Sequence, residues 1–192
     1  DIYPPQRLAK MANLLKLSPP KTIVTGMVSY FSDKNVSRDS RKYKAWLNET
    51  NISGMTWSQL YREGVIASPN WLCSRIEMEK IGAFSDLEYP ENYDLTFKWY
   101  RHGFQVDCLA EISLYWRDHP MRVSRLSESY QQKALFRLKI KRFLEIEKYP
   151  KLYLWGRGKK AKICASLLIE GGVDFHWMDL EGQSSAEKES IP

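Results

Sequence analysis

The chain reads as an α/β protein. Runs rich in β-branched and aromatic residues fall at 22–31, 106–116, 152–155 and 173–178. Between them lie segments at 8–15, 93–102, 127–147 and 159–169 whose apolar residues recur at helical spacing. Gly, Pro and Ser clusters punctuate the alternation, as a layered helix-and-sheet architecture requires. With 192 residues, 43% of them hydrophobic, the chain can bury a sizeable core, and one domain with a small appendage is the expected organisation.

Pro4-Pro5 followed by Leu8, Met11, Leu14 and Leu15 predicts a helix with proline at its start, stopped by Ser18-Pro19-Pro20. Thr22 to Phe31 predicts a strand interrupted by Gly26. Ser32 to Asn51 is polar and charged, and predicts an exposed excursion with a short helix around Tyr43, Trp46 and Leu47. Thr56 to Gly64 predicts a short helix capped by Thr56. Val65 to Cys73 is expected to be extended, leading into a helix over 77–81 that Gly82 ends in the left-handed region. Tyr93 to His102 predicts a helix with Gly103 as its stop. Val106 to Leu109 and the alternating Ile112, Leu114 and Trp116 predict two short strands. Phe136, Ile140, Phe143 and Leu144 predict one long helix over 127–147.

Composition narrows the partners. The net charge is +6 with a pI near 9.1, which favours anionic ligands, yet no basic run is dense enough for a nucleic-acid arm, and no nucleic-acid partner is expected. The basic residues Lys133, Arg137, Lys139, Lys141 and Arg142 share one predicted helix. They read as a solvated face or as a peripheral contact with anionic lipid. Cys73, Cys108 and Cys164 are far apart with no Cys-x-x-Cys, which suits reduced thiols and a cytoplasmic protein. No apolar run has the length of a membrane span, and no signal peptide opens the sequence.

Four motifs follow one another at spacings suited to a single cleft. Asp1-Ile2-Tyr3-Pro4-Pro5-Gln6-Arg7-Leu8 opens the chain, and Asn70-Trp71-Leu72-Cys73-Ser74-Arg75 leads to Ile81-Gly82-Ala83-Phe84. Glu91-Asn92-Tyr93-Asp94 then starts a helix, and Trp116-Arg117-Asp118-His119 ends a strand. This order resembles the acceptor-side half of the family-2 glycosyltransferases, inverting enzymes of the GT-A fold that use nucleotide sugars. The resemblance covers about the first 145 residues. It implies that Asp1 is the last aspartate of an Asp-x-Asp-Asp segment, so that the pair proper and the nucleotide-binding half precede this chain. The expected organisation is therefore the latter part of a GT-A domain over 1–148 and a smaller unit over 149–192.

The resemblance also implies roles. Transfer of a sugar from a nucleotide diphosphate, a UDP-sugar above all, needs a base for the acceptor hydroxyl. It needs a cation to neutralise the leaving diphosphate, and a pocket that holds a saccharide or glycolipid acceptor in line. The family places the base second in a Glu-Asp pair, where this chain has Asn92, which cannot accept a proton at neutral pH. Glu91 is the foremost substitute and Asp94 the other; either acid would also complement the helix dipole. His119 is implied as a ligand for a divalent cation, Mn or Mg, held mostly by residues upstream. Trp71, Asn70, Arg75, Asn92 and Arg117 are implied to contact substrate, with Asp1, Tyr3 and Arg7 bordering the donor site. The loops around Trp71, Glu91 and His119 are expected to share one pocket. The alternative class is a non-catalytic acceptor-binding module, which Asn92 favours.

The last segment has its own pattern. Leu152-Tyr153-Leu154-Trp155 precedes Gly156-Arg157-Gly158-Lys159, a helix to Ile169, Gly171-Gly172 and a second strand-type run to Met178, with Asp179 where a Rossmann unit keeps its ribose-binding acid. A similar Trp-Gly/Asn-x-Gly-Lys segment follows the transferase part of N-acetylglucosaminyltransferase-like proteins, which this layout resembles. One such unit is too little for a dinucleotide crevice, so an incomplete βαβ accessory domain is expected rather than an oxidoreductase. Gln183 to Pro192 is expected to be a mobile tail.

Overall fold

The computed structural model describes residues 1–85 and 90–179, so the expected tail lies outside the described residues. The fold is mixed α/β. It divides into two compact units, 1–130 and 131 onward, whereas the sequence places the boundary after the basic helix, at 148/149.

In the first unit, α1 (Arg7–Leu17) precedes β1 (Thr22–Phe31), and Ser18 closes the helix by donating to the Leu14 carbonyl. The residues read as an exposed excursion form α2 (Arg38–Ile52), 15 residues long, rather than a short helix. Two local facts account for it. The Ser37 side chain caps the first turn by accepting from the Ser40 N–H, and Tyr43 and Leu47 align on one face against the sheet. Leu47 joins Val28, Ala67 and Leu114 in a buried cluster edged by Tyr43, Trp46 and Trp116.

The helix expected over 56–64 reduces to a 3₁₀ turn, Trp57–Gln59. Thr56 does not cap it; its hydroxyl donates to Asn51 Oδ1 at 3.0 Å inside the core. Of the extended run, only β2 (Trp71–Cys73) pairs, antiparallel to β1 from Ile23 to Thr25. Next come α3 (Arg75–Lys80), Gly82 at φ 72°, and α4 (Glu91–Arg101), ended at Gly103 with φ 71°. Here the left-handed stops are as expected.

The two short strands expected after α4 are one, β3 (Gln105–Arg117), parallel to β1 with register shifts on either side of Met27. The sheet order is β2-β1-β3. The shifts tip Ser113 beneath β1, so that a Cβ on Gly26 would lie 2.3 Å from its hydroxyl. Gly26 is therefore a close-approach glycine, and the bulge hides the continuity of β3 from a period-of-two reading.

Because β2 covers so little of β1, side chains complete that edge. Asn70 donates to the Gly26 carbonyl at 2.8 Å, and Asn48 exchanges two hydrogen bonds with Val28, accepting from its N–H and donating to its carbonyl, both 2.9 Å. Two carboxamides thus take the place of a neighbouring strand and leave those backbone groups satisfied.

The short helix α5 (Val123–Leu126) precedes the helix expected over 127–147. That helix is itself split, into a 3₁₀ turn (Glu128–Tyr130) in the first unit and α6 (Gln132–Ile146) in the second. In the second unit β4 (Tyr153–Trp155), α7 (Lys159–Glu170) and β5 (His176–Met178) form a βαβ unit with parallel strands, and α6 packs on α7. Lys133 and Arg137 of α6 both reach Glu170 of α7 at 3.2 Å, and Arg142 pairs with Glu145. Much of the basic helix face is therefore committed internally. Among the described residues no helix is long and apolar enough to cross a membrane.

Candidate active site

Parallel strands in α/β sheets present their carboxyl ends to ligands. Here those ends are Tyr30-Phe31 of β1 and Trp116-Arg117 of β3, paired in register. Asp1 lies at this edge: its carboxylate accepts from the Arg117 N–H at 3.0 Å, and Ile2 forms an antiparallel bridge with Tyr115. The Arg117 guanidinium pairs with Asp33. His119 is exposed, and its carbonyl accepts from Arg125 at 2.9 Å.

Asp118, between them, is 4% exposed. Burial alone would raise its pKa, but the Ser37 N–H, the Ser40 hydroxyl, Arg125 and Arg122 together hold it below the ordinary carboxylate range. Arg125 meets it at 2.6 Å. Asp118 is thus a fixed anion that anchors the loop after β3 to the start of α2, and it is already saturated with donors.

Above this edge sits an aromatic pair. Tyr30 and Trp116 stack with centroids 5.4 Å apart and planes 9° apart. The Arg122 guanidinium lies 4.6 Å from the Trp116 centroid and 5.4 Å from that of Tyr30. Burial pushes the Tyr30 phenol up, against the pull of Arg122. The charge of Arg122 is also felt at Tyr130, and so is that of Glu91. Burial pushes the Tyr130 phenol up and the Asn92 side chain pulls it down, and the Asn92 amide donates to Glu91 at 3.1 Å. Glu91 and Asn92 thus pair in the first turn of α4, while Arg122, Tyr30 and Trp116 cluster at the ends of β1 and β3.

The other expected site residues are placed differently. Asp94 is 1% exposed within α4, where a carboxylate does not meet a dissolved substrate. Asn70 is fully buried; besides Gly26 it accepts from Ser113 at 2.8 Å, and its own carbonyl takes the Thr25 hydroxyl at 2.7 Å. Its hydrogen-bonding capacity is spent inside the protein. Arg7 packs over Tyr3, its guanidinium 4.3 Å from the ring, and donates to the Pro69 carbonyl at 3.0 Å, which ties α1 to the loop before β2. Burial lowers its pKa, partly offset by Tyr3.

Trp71 packs edge-on against Trp99 at 5.1 Å and also meets Phe84. Trp99 lies eight residues along α4 from Glu91, roughly 12 Å at 1.5 Å per residue. Arg75 starts α3, whose Met78 sulfur accepts from the Trp99 indole, and its side chain, 91% exposed, pairs with Glu79. Trp71 thus packs at the Trp99 end of α4, and α3 joins it there through Met78.

No group of three or more His, Cys, Asp or Glu side chains converges on a point among the described residues. These residues do not by themselves fit a divalent cation, and no step below runs through one. In the second unit Asp179, expected to meet a ribose, pairs with Arg157 at 3.6 Å. Arg122, Arg125, Tyr30 and Tyr130 escaped the sequence reading. The available signal was two arginines three apart directly after the Arg-x-His segment, but nothing local says that the first lies on an aromatic stack.

Comparisons with protein-family models, with curated proteins and with solved structures give no match.

Proposed function

We propose that this chain is the acceptor-side part of an inverting glycosyltransferase of the GT-A type, acting with a nucleotide-diphosphate sugar, a UDP-sugar foremost, and a saccharide or glycolipid acceptor. The observation that carries the reading is the environment of Glu91. Of the two acids at the start of α4 it is the one partly open to solvent, and the Asn92 amide donates to it.

In this reading the Glu91 carboxylate takes the proton of the acceptor hydroxyl. That oxygen bonds to the anomeric carbon from the face opposite the diphosphate, and the carbon–oxygen bond to the diphosphate breaks. The electron pair leaves with the diphosphate, and the proton passes from Glu91 to solvent as product departs. Asn92 holds Glu91 through its amide N–H and so fixes the carboxylate against the first turn of the helix.

The test is release of nucleoside diphosphate from UDP- and GDP-sugars, with and without acceptor, by the protein. Acceptor-dependent release abolished by Glu91→Gln and only reduced by Asn92→Ala supports the assignment. Release that persists in Glu91→Gln refutes it.

A second reading, an acceptor-binding module without catalysis, draws on one fact: a neutral carboxamide, Asn92, stands where the resemblance places the base, and it is already engaged by Glu91. A large gain of transfer in Asn92→Asp over an inactive parent would favour it.

A further inference from the structure

Arg122 is held in an unusual way for a half-buried cation. Its neighbours Arg117 and Arg125 are each matched by a carboxylate, Asp33 and Asp118. Arg122 forms no such ion pair among the described residues: its contacts are the rings of Tyr30 and Trp116. Asp118, the carboxylate within its electrostatic reach, is taken by Arg125 and by Ser37 and Ser40. A planar guanidinium is well held against an aromatic face. A partly buried positive charge with no direct ion pair of its own attracts an anion, and a guanidinium suits the paired oxygens of a phosphate.

We infer that Arg122, on the Tyr30–Trp116 pair at the carboxyl ends of β1 and β3, is a phosphate-binding group that meets a phosphate of the substrate. The inference rests on the proposed transfer reaction for its setting, but phosphate binding itself does not depend on turnover. Two sources share this chemistry: the diphosphate of the donor and a phosphate carried by the acceptor. Tyr30 and Trp116 are positioning residues; they orient the cation and touch no substrate in this scheme.

Pyrophosphate, UDP and glucose 1-phosphate are titrated separately into the ¹⁵N-labelled chain, following the Arg122 Nε–H and the Trp116 indole N–H. The expected result is a saturable shift of both signals. Arg122→Gln should weaken pyrophosphate binding by about tenfold or more, the range for losing one charge-assisted contact. Arg122→Lys, which keeps the charge and guards against a folding artefact, should retain part of the affinity while losing the Trp116 response. Arg101→Gln, an exposed change on α4, should leave binding as it was.

Tighter binding of pyrophosphate and UDP than of glucose 1-phosphate assigns the phosphate to the donor. Equal or tighter binding of glucose 1-phosphate assigns it to the acceptor. Shifts that are absent from both signals, or unchanged affinity in a folded Arg122→Gln protein, overturn the inference. Phosphate binding that requires Arg122, without transfer in the assay above, overturns the transfer reaction and leaves Arg122 in place.

Discussion

Replacing Asn70 by alanine separates two roles for this residue. If Asn70 read an acceptor hydroxyl, the change would weaken substrate and spare the fold. The structure makes it an internal strut: its amide donates to Gly26, its oxygen accepts from Ser113, and Arg7 approaches at 3.4 Å. Truncation leaves the Gly26 carbonyl and the Ser113 hydroxyl without their best partners in a fully enclosed site, at about 1–3 kcal/mol each. Arg7 keeps Pro69, and Ser113 keeps a long contact to Met27, so the lower half of each range applies. The expected loss is about 3 kcal/mol, a large share of the roughly 5–15 kcal/mol typical of a folded domain. With a urea slope of about 1–3 kcal/mol/M, the midpoint falls by roughly 1–3 M. The assay is urea unfolding followed by near-UV circular dichroism, in parallel with Asn70→Asp. The aspartate directs a carboxylate at the Gly26 carbonyl and should recover stability as pH falls and its oxygen gains a proton to donate. A loss below about 1 kcal/mol in Asn70→Ala, with an unchanged slope, refutes the strut.

Further outcomes follow from the same contacts. Gly26→Ala should destabilise the first unit by about 1–3 kcal/mol, because the new methyl meets Ser113; pairing it with Ser113→Gly should restore part of the loss in the same urea titration. Asp118 has a folded pKa below its unfolded value. Its contribution is therefore complete above the unfolded pKa of about 3.9 and disappears as pH falls through the lower folded value; the stability gap between the parent and Asp118→Asn should narrow only under acid conditions. Burial pushes the Cys73 and Cys108 thiols up to about 11. At pH 8 they hold about a hundredfold less thiolate than a free cysteine, and a disulfide reagent should label them slowly in the native chain and rapidly in urea.

Much of the local structure was legible in the sequence, because it is decided by near neighbours. Period and punctuation gave α1, β1, α4 and the βαβ pattern after Tyr149, and Gly82 and Gly103 marked their helix ends by the positive φ that glycine tolerates. The motif at the start of α4 drew attention to Glu91 and Asn92, and the end of β3 to Arg117 and His119. What the sequence missed depended on contacts between distant residues. α2 looked exposed because its polar residues outnumber the few that face the sheet, and only packing on Val28 and Leu114 shows which face matters. β3 looked like two strands because its bulge breaks the alternation while the ladder to β1 continues.

The site divides in the same way. A sequence can present acids and arginines at suggestive spacings, and that is how Glu91 was found. It cannot say that Asn70 and Asp94 turn inward, since burial is a property of the whole chain collapsed around them. Nor can it place Arg122 over Tyr30, a residue about ninety positions earlier, because the parallel pairing of β1 with β3 creates that neighbourhood. Residue type and short-range order set the elements and the available chemistry. Tertiary packing decided which groups stay in contact with water, which lose it, and that Arg122 rests on an aromatic pair, because hydration and counter-charges are settled only once distant segments meet.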